Sequence, residues 1–298
     1  MPVADSAPPK ETIRNRLLVI VLGIPVLLTL IWMGGAAYAI LITILVGLGL
    51  REYLIMLGRA DLRPRWVPGL LAGTLLLIAC MWSVGLFFSD VASADLGHQF
   101  TTIIILLLLI LMIYEVISPA PVPWHNLSVN LVGVIWIAGF GGSFILVRSA
   151  DYSSLGGEVD LAYRLTVALY ITVWICDSLA YLFGKGFGKR KLFPAASPKK
   201  TVVGSVAGLI GSIILMLSLG YGGWLPRESF SVVDLLAFGL ITGGIGQLGD
   251  FAESRLKRDF GVKDSSRLLP GHGGVLDRFD SLLFVMPTAW LYLTWAVF

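Results

Sequence analysis

Gln247, Asp250, Ser254 and Lys257 recur at intervals of three, four and three residues, which on a helix gathers them into one stripe. An acid and a base on one stripe, emerging where an apolar run ends, can hold a cation and a phosphate side by side. Downstream come Gly261-Val262-Lys263-Asp264 and then Leu269-Pro270-Gly271-His272-Gly273-Gly274-Val275-Leu276-Asp277-Arg278-Phe279-Asp280-Ser281. Asp277 and Asp280 fall one turn apart, at the entry to the last apolar run. Acids without clustered His or Cys supply only oxygen ligands, which suit a hard ion such as Mg²⁺, with room for a second cation. Glycines let the backbone approach a ligand closely. His272 stands alone and would serve a cap or a hydrogen bond as readily as proton transfer.

A second polar group lies upstream. Asp177 falls about two turns before the end of an apolar run, and an acid inside a membrane segment is a functional candidate by default. Tyr181 and Gly184 share its helical face, which suits a cavity wall. The bland alternative is an Asp paired with a nearby Lys for packing alone. The following loop reads Gly184-Lys185-Gly186-Phe187-Gly188-Lys189-Arg190-Lys191, then Ser197-Pro198-Lys199-Lys200-Thr201. Its ammonium groups can neutralise phosphate oxygens. It has neither the spacing nor the preceding strand of a Walker loop, and a basic loop that only fixes topology would look much the same. The acids and bases together suit metal-assisted phosphoryl or nucleotidyl transfer at a bilayer surface, which needs charge neutralisation and positioning more than a covalent nucleophile.

The elements that must carry these residues are membrane spans. Of 298 residues, 56% are apolar and 14% charged, against about 25% charged in a water-soluble domain. The mean hydropathy is +0.85. The chain reads as an all-α integral membrane protein. Apolar runs of about 20 residues occur at 17–34, 36–57, 67–88, 99–117, 127–148, 161–183, 202–224, 232–253 and 281–298, so about nine spans are expected, with a turn at Gly34-Gly35. With nine spans and a cytoplasmic N-terminus, every Lys and Arg except Arg148, Arg164 and Arg227 falls on the cytoplasmic side. The positive-inside rule therefore favours a cytoplasmic N-terminus and a C-terminus on the opposite side. Ala37-Tyr38-Ala39 resembles a cleavage site, but the apolar run continues past it and is expected to stay as an anchor. Cys80 and Cys176, isolated in apolar runs, are expected to be packing residues.

The chain thus divides into a cytoplasmic segment 1–16, a scaffold half 17–150 whose spans carry almost no polar residues, and a working half 151–298. The working half presents cytoplasmic loops 184–201 and 254–280. There is no obvious internal repeat.

The run from Ser254 to Asp280 closely resembles the signature of the phosphatidate cytidylyltransferase (CDP-diacylglycerol synthase) family. It reads Ser254-x-Leu256-Lys257-Arg258, then Lys263-Asp264, then Leu269-Pro270-x-His272-Gly273-Gly274-Val275-x-Asp277-Arg278-Phe279-Asp280. Gly249-Asp250 and Ser197-Pro198-Lys199-Lys200-Thr201 also look like family motifs. The family usually places an aromatic residue and a Glu after Lys-Lys-Thr; here Val202-Val203 stands instead. The resemblance implies that phosphatidate attacks the α-phosphorus of CTP, giving CDP-diacylglycerol and pyrophosphate in phospholipid biosynthesis. It implies metal-binding roles for Asp250 and Asp277, and a supporting role for Asp177. Lys257, Arg258, Lys263 and Arg278 would neutralise phosphates, with Asp264 beside them. Ser197, Lys199, Lys200 and Thr201 would close over the nucleotide or the lipid phosphate. Ser254, His272, Gly273, Gly274 and Asp280 would complete the substrate contacts. The partners are CTP, phosphatidate and membrane lipids, with no nucleic acid; a homodimer is compatible. The implied location is the bacterial inner membrane, with the site facing the cytoplasm.

Three other readings use the same residues differently. A polyprenyl phosphate or another lipid phosphate could be the acceptor. An ion-coupled transporter would put Asp177 and Asp250 on an ion path, but predicts polar residues along several spans. A CDP-alcohol phosphotransferase expects Asp-x-x-Asp-Gly spacing, which the chain lacks.

Overall fold

A computed structural model describes residues 11–86, 96–117, 122–156, 160–266, 268–269 and 273–298. The described residues form helices and loops, and no strand is present among them. In chain order the helices are α1 (Glu11–Met33), α2 (Gly35–Arg59), α3 (Trp66–Ser83), α4 (Leu96–Ile117), α5 (Pro123–Gly133), α6 (Phe140–Ser149), α7 (Leu161–Phe187), α8 (Val202–Tyr221), α9 (Val232–Leu240), α10 (Gly246–Asp259), α11 (Leu276–Phe279) and α12 (Leu282–Tyr292). Two pairs are fused through π-helical turns: Val134–Gly139 joins α5 to α6, and Ile241–Ile245 joins α9 to α10.

Seven helical stretches are long and apolar enough to cross a membrane: α2, α3, Gly97–Ile117, Pro123–Ser149, α7, α8 and Val232–Asp259. Two shorter apolar stretches, Val21–Met33 and Leu282–Val297, occupy the positions of the first and last expected spans. The eighth expected run, 232–253, continues as helix to Asp259 and carries the signature out beyond its apolar part. Gly34 and Gly35 both take positive φ at the turn between α1 and α2, a conformation nearly closed to residues with a Cβ. Tyr38 and Ala39 lie buried inside α2, which runs unbroken through the small-residue triplet. Cys80 and Cys176 are free and buried, as packing residues would be.

Without a hydrophobic driving force between helices in lipid, close packing depends on small side chains. The second half follows this rule. A Cβ on Gly208 of α8 would lie 2.8 Å from the Cys176 carbonyl oxygen of α7. One on Gly243 would lie 2.9 Å from the Leu209 Cα of α8. α7, α8 and the α9–α10 rod therefore pack backbone to backbone, which fixes where α10 presents its acids.

Candidate active site

α10 brings Asp250 to the end of the α7–α8 loop. That loop is closed by a single antiparallel bridge between Lys191 and Thr201, with Leu192 N–H donating to the Lys200 carbonyl at 3.2 Å. Thr201 is buried and caps α8, its side chain accepting the Gly204 N–H at 3.2 Å. Held between the bridge and the cap, Lys200 donates to Asp250 Oδ2, and its ammonium also lies 4.6 Å from the Phe251 ring centroid. Ser254, one turn on, donates to Asp250 Oδ1 at 3.2 Å. Ser197 is half-buried and Lys199 exposed on the same loop.

Two turns further along, α10 carries a second group. Lys257 donates to Glu253 at 2.9 Å and to Asp277 Oδ1 at 2.6 Å. Asp277 Oδ2 accepts from Ser265 N–H at 3.0 Å, Ser265 Oγ at 3.0 Å and Gly274 N–H at 2.8 Å. Gly273 takes φ +80° directly beside this carboxylate. Burial alone would raise the Asp277 carboxyl, but the Lys257 hydrogen bond and charge and the Gly274 and Ser265 N–H groups outweigh it and hold it below the usual value.

Asp280 is the contrasting case. Burial first, then the charges on Asp250 and Asp177, push its carboxyl up to about 7, against the Ser281 N–H and Lys257. Asp177, accessible on α7, is within electrostatic reach of Lys200, Asp250 and Arg278. Among the described residues no three acids, histidines or cysteines are gathered tightly enough to hold a metal ion. Asp250 and Asp277 each meet an ammonium of the protein instead. The donor chemistry still fits a hard divalent cation. Three carboxylates, Asp177, Asp250 and Asp280, lie within electrostatic reach of one another, and that gathered negative charge is what such a cation neutralises.

The anticipated stripe is divided. Asp250 and Ser254 face the α7–α8 loop, and Lys257 turns to Asp277. Gln247 serves packing: it donates to the Gly243 and Ser205 carbonyls at 2.6 and 3.0 Å, tying α10 to α8. Gly184 meets Thr201 and Gly204 on α8, so that part of the Asp177 face is a helix contact rather than a cavity wall. Arg258, Lys263, Asp264 and Arg278 are exposed, with Arg258 donating to the Val262 carbonyl at 3.3 Å. Val203, where the family usually has an acid, points outward on α8 at 41% exposure. His272 lies outside the described residues.

Sequence reasoning missed Glu52 and Ser265. The scaffold half is not bare, since Glu52 of α2 is 1% exposed and bonded to the signature loop. Its one signal is an acid inside an apolar run, the same signal that singled out Asp177.

The match to known proteins covers this whole arrangement. Residues 14–296 match the model of the cytidylyltransferase family. The chain belongs to that family. It is 36% identical over 287 residues to the phosphatidate cytidylyltransferase of Bacillus subtilis (strain 168), covering 96% of this chain and 98% of the relative. The enzymes of the same name from Staphylococcus haemolyticus (strain JCSC1435) and Staphylococcus aureus (strain COL) are 33% and 35% identical, each over 275 residues, covering 92% of this chain and 96% of theirs. Both halves of the chain lie within the match, so family membership does not rest on the signature alone.

Proposed function

We propose that the chain transfers CMP from CTP to phosphatidate, giving CDP-diacylglycerol and pyrophosphate at the cytoplasmic face of a bacterial inner membrane. The observation that carries this reading is the pairing of acids and ammonium groups at one end of α10, Lys200 with Asp250 and Lys257 with Asp277, in a chain matched over almost its whole length by relatives of that name. A phosphate oxygen of phosphatidate forms a bond to the α-phosphorus of CTP as the bond to the bridging pyrophosphate oxygen breaks. The attacking phosphate monoester is already anionic near neutral pH, so no side chain need remove a proton.

Positioning and charge neutralisation remain for the protein. Lys200 and Lys257 have carboxylate partners that a phosphate can replace. Ser197 and Lys199 are carried on the same loop as Lys200, while Arg258, Lys263 and Arg278 lie exposed where phosphates enter. Mg²⁺, held by Asp250 and Asp277 with Asp280 and Asp177 nearby, would screen the charge that develops on pyrophosphate. In this reading nine helices cross the bilayer, with the N-terminus cytoplasmic, as the distribution of Lys and Arg supports.

Labelled CTP incubated with the purified chain, mixed lipid extract and Mg²⁺ tests the acceptor. The label is expected in CDP-diacylglycerol, and to vanish when Mg²⁺ is chelated. Incorporation into a polyprenyl phosphate would move the acceptor to another lipid. Asp250→Asn and Asp277→Asn are each expected to abolish incorporation in a protein that still inserts, and full activity in both would remove the metal assignment.

A further inference from the structure

The acid that reaches furthest along the chain to the signature loop comes from the half expected to be scaffold. Glu52 of α2 accepts four hydrogen bonds, two on each oxygen. Ser266 Oγ at 2.6 Å and Val275 N–H at 3.0 Å reach Oε1; Ser265 Oγ and Leu276 N–H, both at 2.9 Å, reach Oε2. It is 1% exposed and forms no ion pair among the described residues. All four donors belong to the segment that leads into Asp277, the last of them at the start of α11.

We infer that Glu52 is a positioning residue for the transfer: it sets the backbone turn that aims Asp277 and, through it, Lys257. The route is short. The Ser265 hydroxyl lies between Glu52 Oε2 at 2.9 Å and Asp277 Oδ2 at 3.0 Å, and its single proton serves one of them at a time. A Cβ at Gly274 would collide with Ser265 Oγ and Glu52 Oε2, so the glycine lets the loop close over the acid while its own N–H goes to Asp277. The next residue of α2, Tyr53, packs edge-on against Phe260 just past the end of α10, with ring centroids 6.1 Å apart. α2 thus grips both ends of the segment that carries Lys257 and Asp277.

A buried carboxylate needs donors wherever it sits; here all four come from the segment that carries Asp277. A carboxylate accepts from all four, whereas a glutamine would turn an N–H toward donors on one side. Displacement of a reacting group by about 1 Å costs on the order of 100-fold in rate.

The inference rests on Asp277 and Lys257 belonging to the reacting site, and the test separates the two ideas. Full-length E52Q, S266A, E115A and D277N proteins are purified in detergent and assayed in phosphatidate micelles, with thermal melting and amide exchange measured on the same samples. Glu115 is the comparison because it too is a buried acid, tying α4 to Arg65 at 2.7 Å, away from the loop. E52Q is expected to lose about 100-fold in kcat with smaller changes in KM, and to speed exchange at the Val275 and Leu276 amides. E115A is expected to melt lower with kcat within about twofold of the parent. Should E52Q not fold, S266A, which removes one donor of the four, is expected to lose about threefold to tenfold in kcat with the same faster exchange. An inactive D277N beside E52Q or S266A proteins of full kcat would overturn the role of Glu52 alone. An active D277N would overturn the site reading beneath it.

Discussion

Asp277 and Asp280 are three residues apart, and their surroundings drive them in opposite directions. Asp277 is held low, so its contribution to stability is present above the usual carboxylate range and is lost as pH falls. Asp280 is pushed from a normal 3.8 up to about 7. Between those values the folded chain keeps a proton that the unfolded chain has released, so stability falls as pH rises through that window. Asp280→Asn cannot ionise and escapes the loss. In chelator, at about pH 8, it is expected to melt roughly 2–4 °C higher than the parent, with no advantage near pH 4. Its transfer activity should fall over the same range, because a surplus carboxylate that weakens the empty protein is useful only when a cation meets it. Lys263 gives a milder expectation. Exposed on the turn after α10, it can meet a phosphate of a bound substrate without supporting the fold. Lys263→Ala should raise KM for CTP or phosphatidate several-fold and leave the melting temperature in place, as steady-state kinetics and a melting scan would show. At this scale the sequence pointed to Asp250, Asp277 and Lys257 because acids and bases at apolar ends are conspicuous. Glu52 carried the signal of an acid inside an apolar run, but hydrogen bonds across more than 200 residues leave no local pattern to tie it to the signature loop.

Helices α7, α8 and α10 transmit these positions through their contacts. Gly243 sits where the α9–α10 rod turns against α8, and an added Cβ would lie 2.9 Å from both Leu209 Cα and Ser212 Cβ. Because the first of those atoms is backbone, the rod must move rather than a side chain. Gly243→Ala is expected to cost about 1–3 kcal/mol, and to part Asp250 from Lys200, so that the melting temperature and kcat fall together. Gly47 of α2 meets nothing within 4 Å, and Gly47→Ala, in a helix interior, should be neutral or slightly stabilising. A matched pair of melting curves and rates checks both. The apolar runs announced these helices, since length and hydropathy are local properties. The π-helical turns Val134–Gly139 and Ile241–Ile245 were not legible, because each widens one turn inside a run that reads as uninterrupted helix. The Gln247 stripe misled for a related reason: spacing fixes which side chains share a face, but only the neighbouring helix decides whether that face meets a cavity or a carbonyl.

For the molecule as a whole, the number of crossings is decided at its two ends. Between Gly34 and the α7–α8 loop lie five stretches long enough to cross: α2, α3, Gly97–Ile117, Pro123–Ser149 and α7. Five crossings would put Gly34 and Lys189 on opposite sides of the bilayer whatever the ends do. The apolar part of α1, residues 17–33, reaches roughly 26 Å at 1.5 Å per residue, a few Å short of a core of about 30 Å. Leu282–Val297 reaches only roughly 24 Å and would span by thinning the bilayer locally or with help from flanking residues. Impermeant maleimide on intact cells decides each end separately, since both native cysteines are buried. Cysteines placed at Glu228 and Phe298 should label from outside. Those at Pro2 and Lys189 should label only after the membrane is opened. Labelling at 298 on the side of Lys189 would mean the last helix folds back, and the same reagent at Pro2 reporting from outside would mean that α1 lies along the surface. Either result would change the count of spans while leaving Lys189, and with it the acids of α10, on one face.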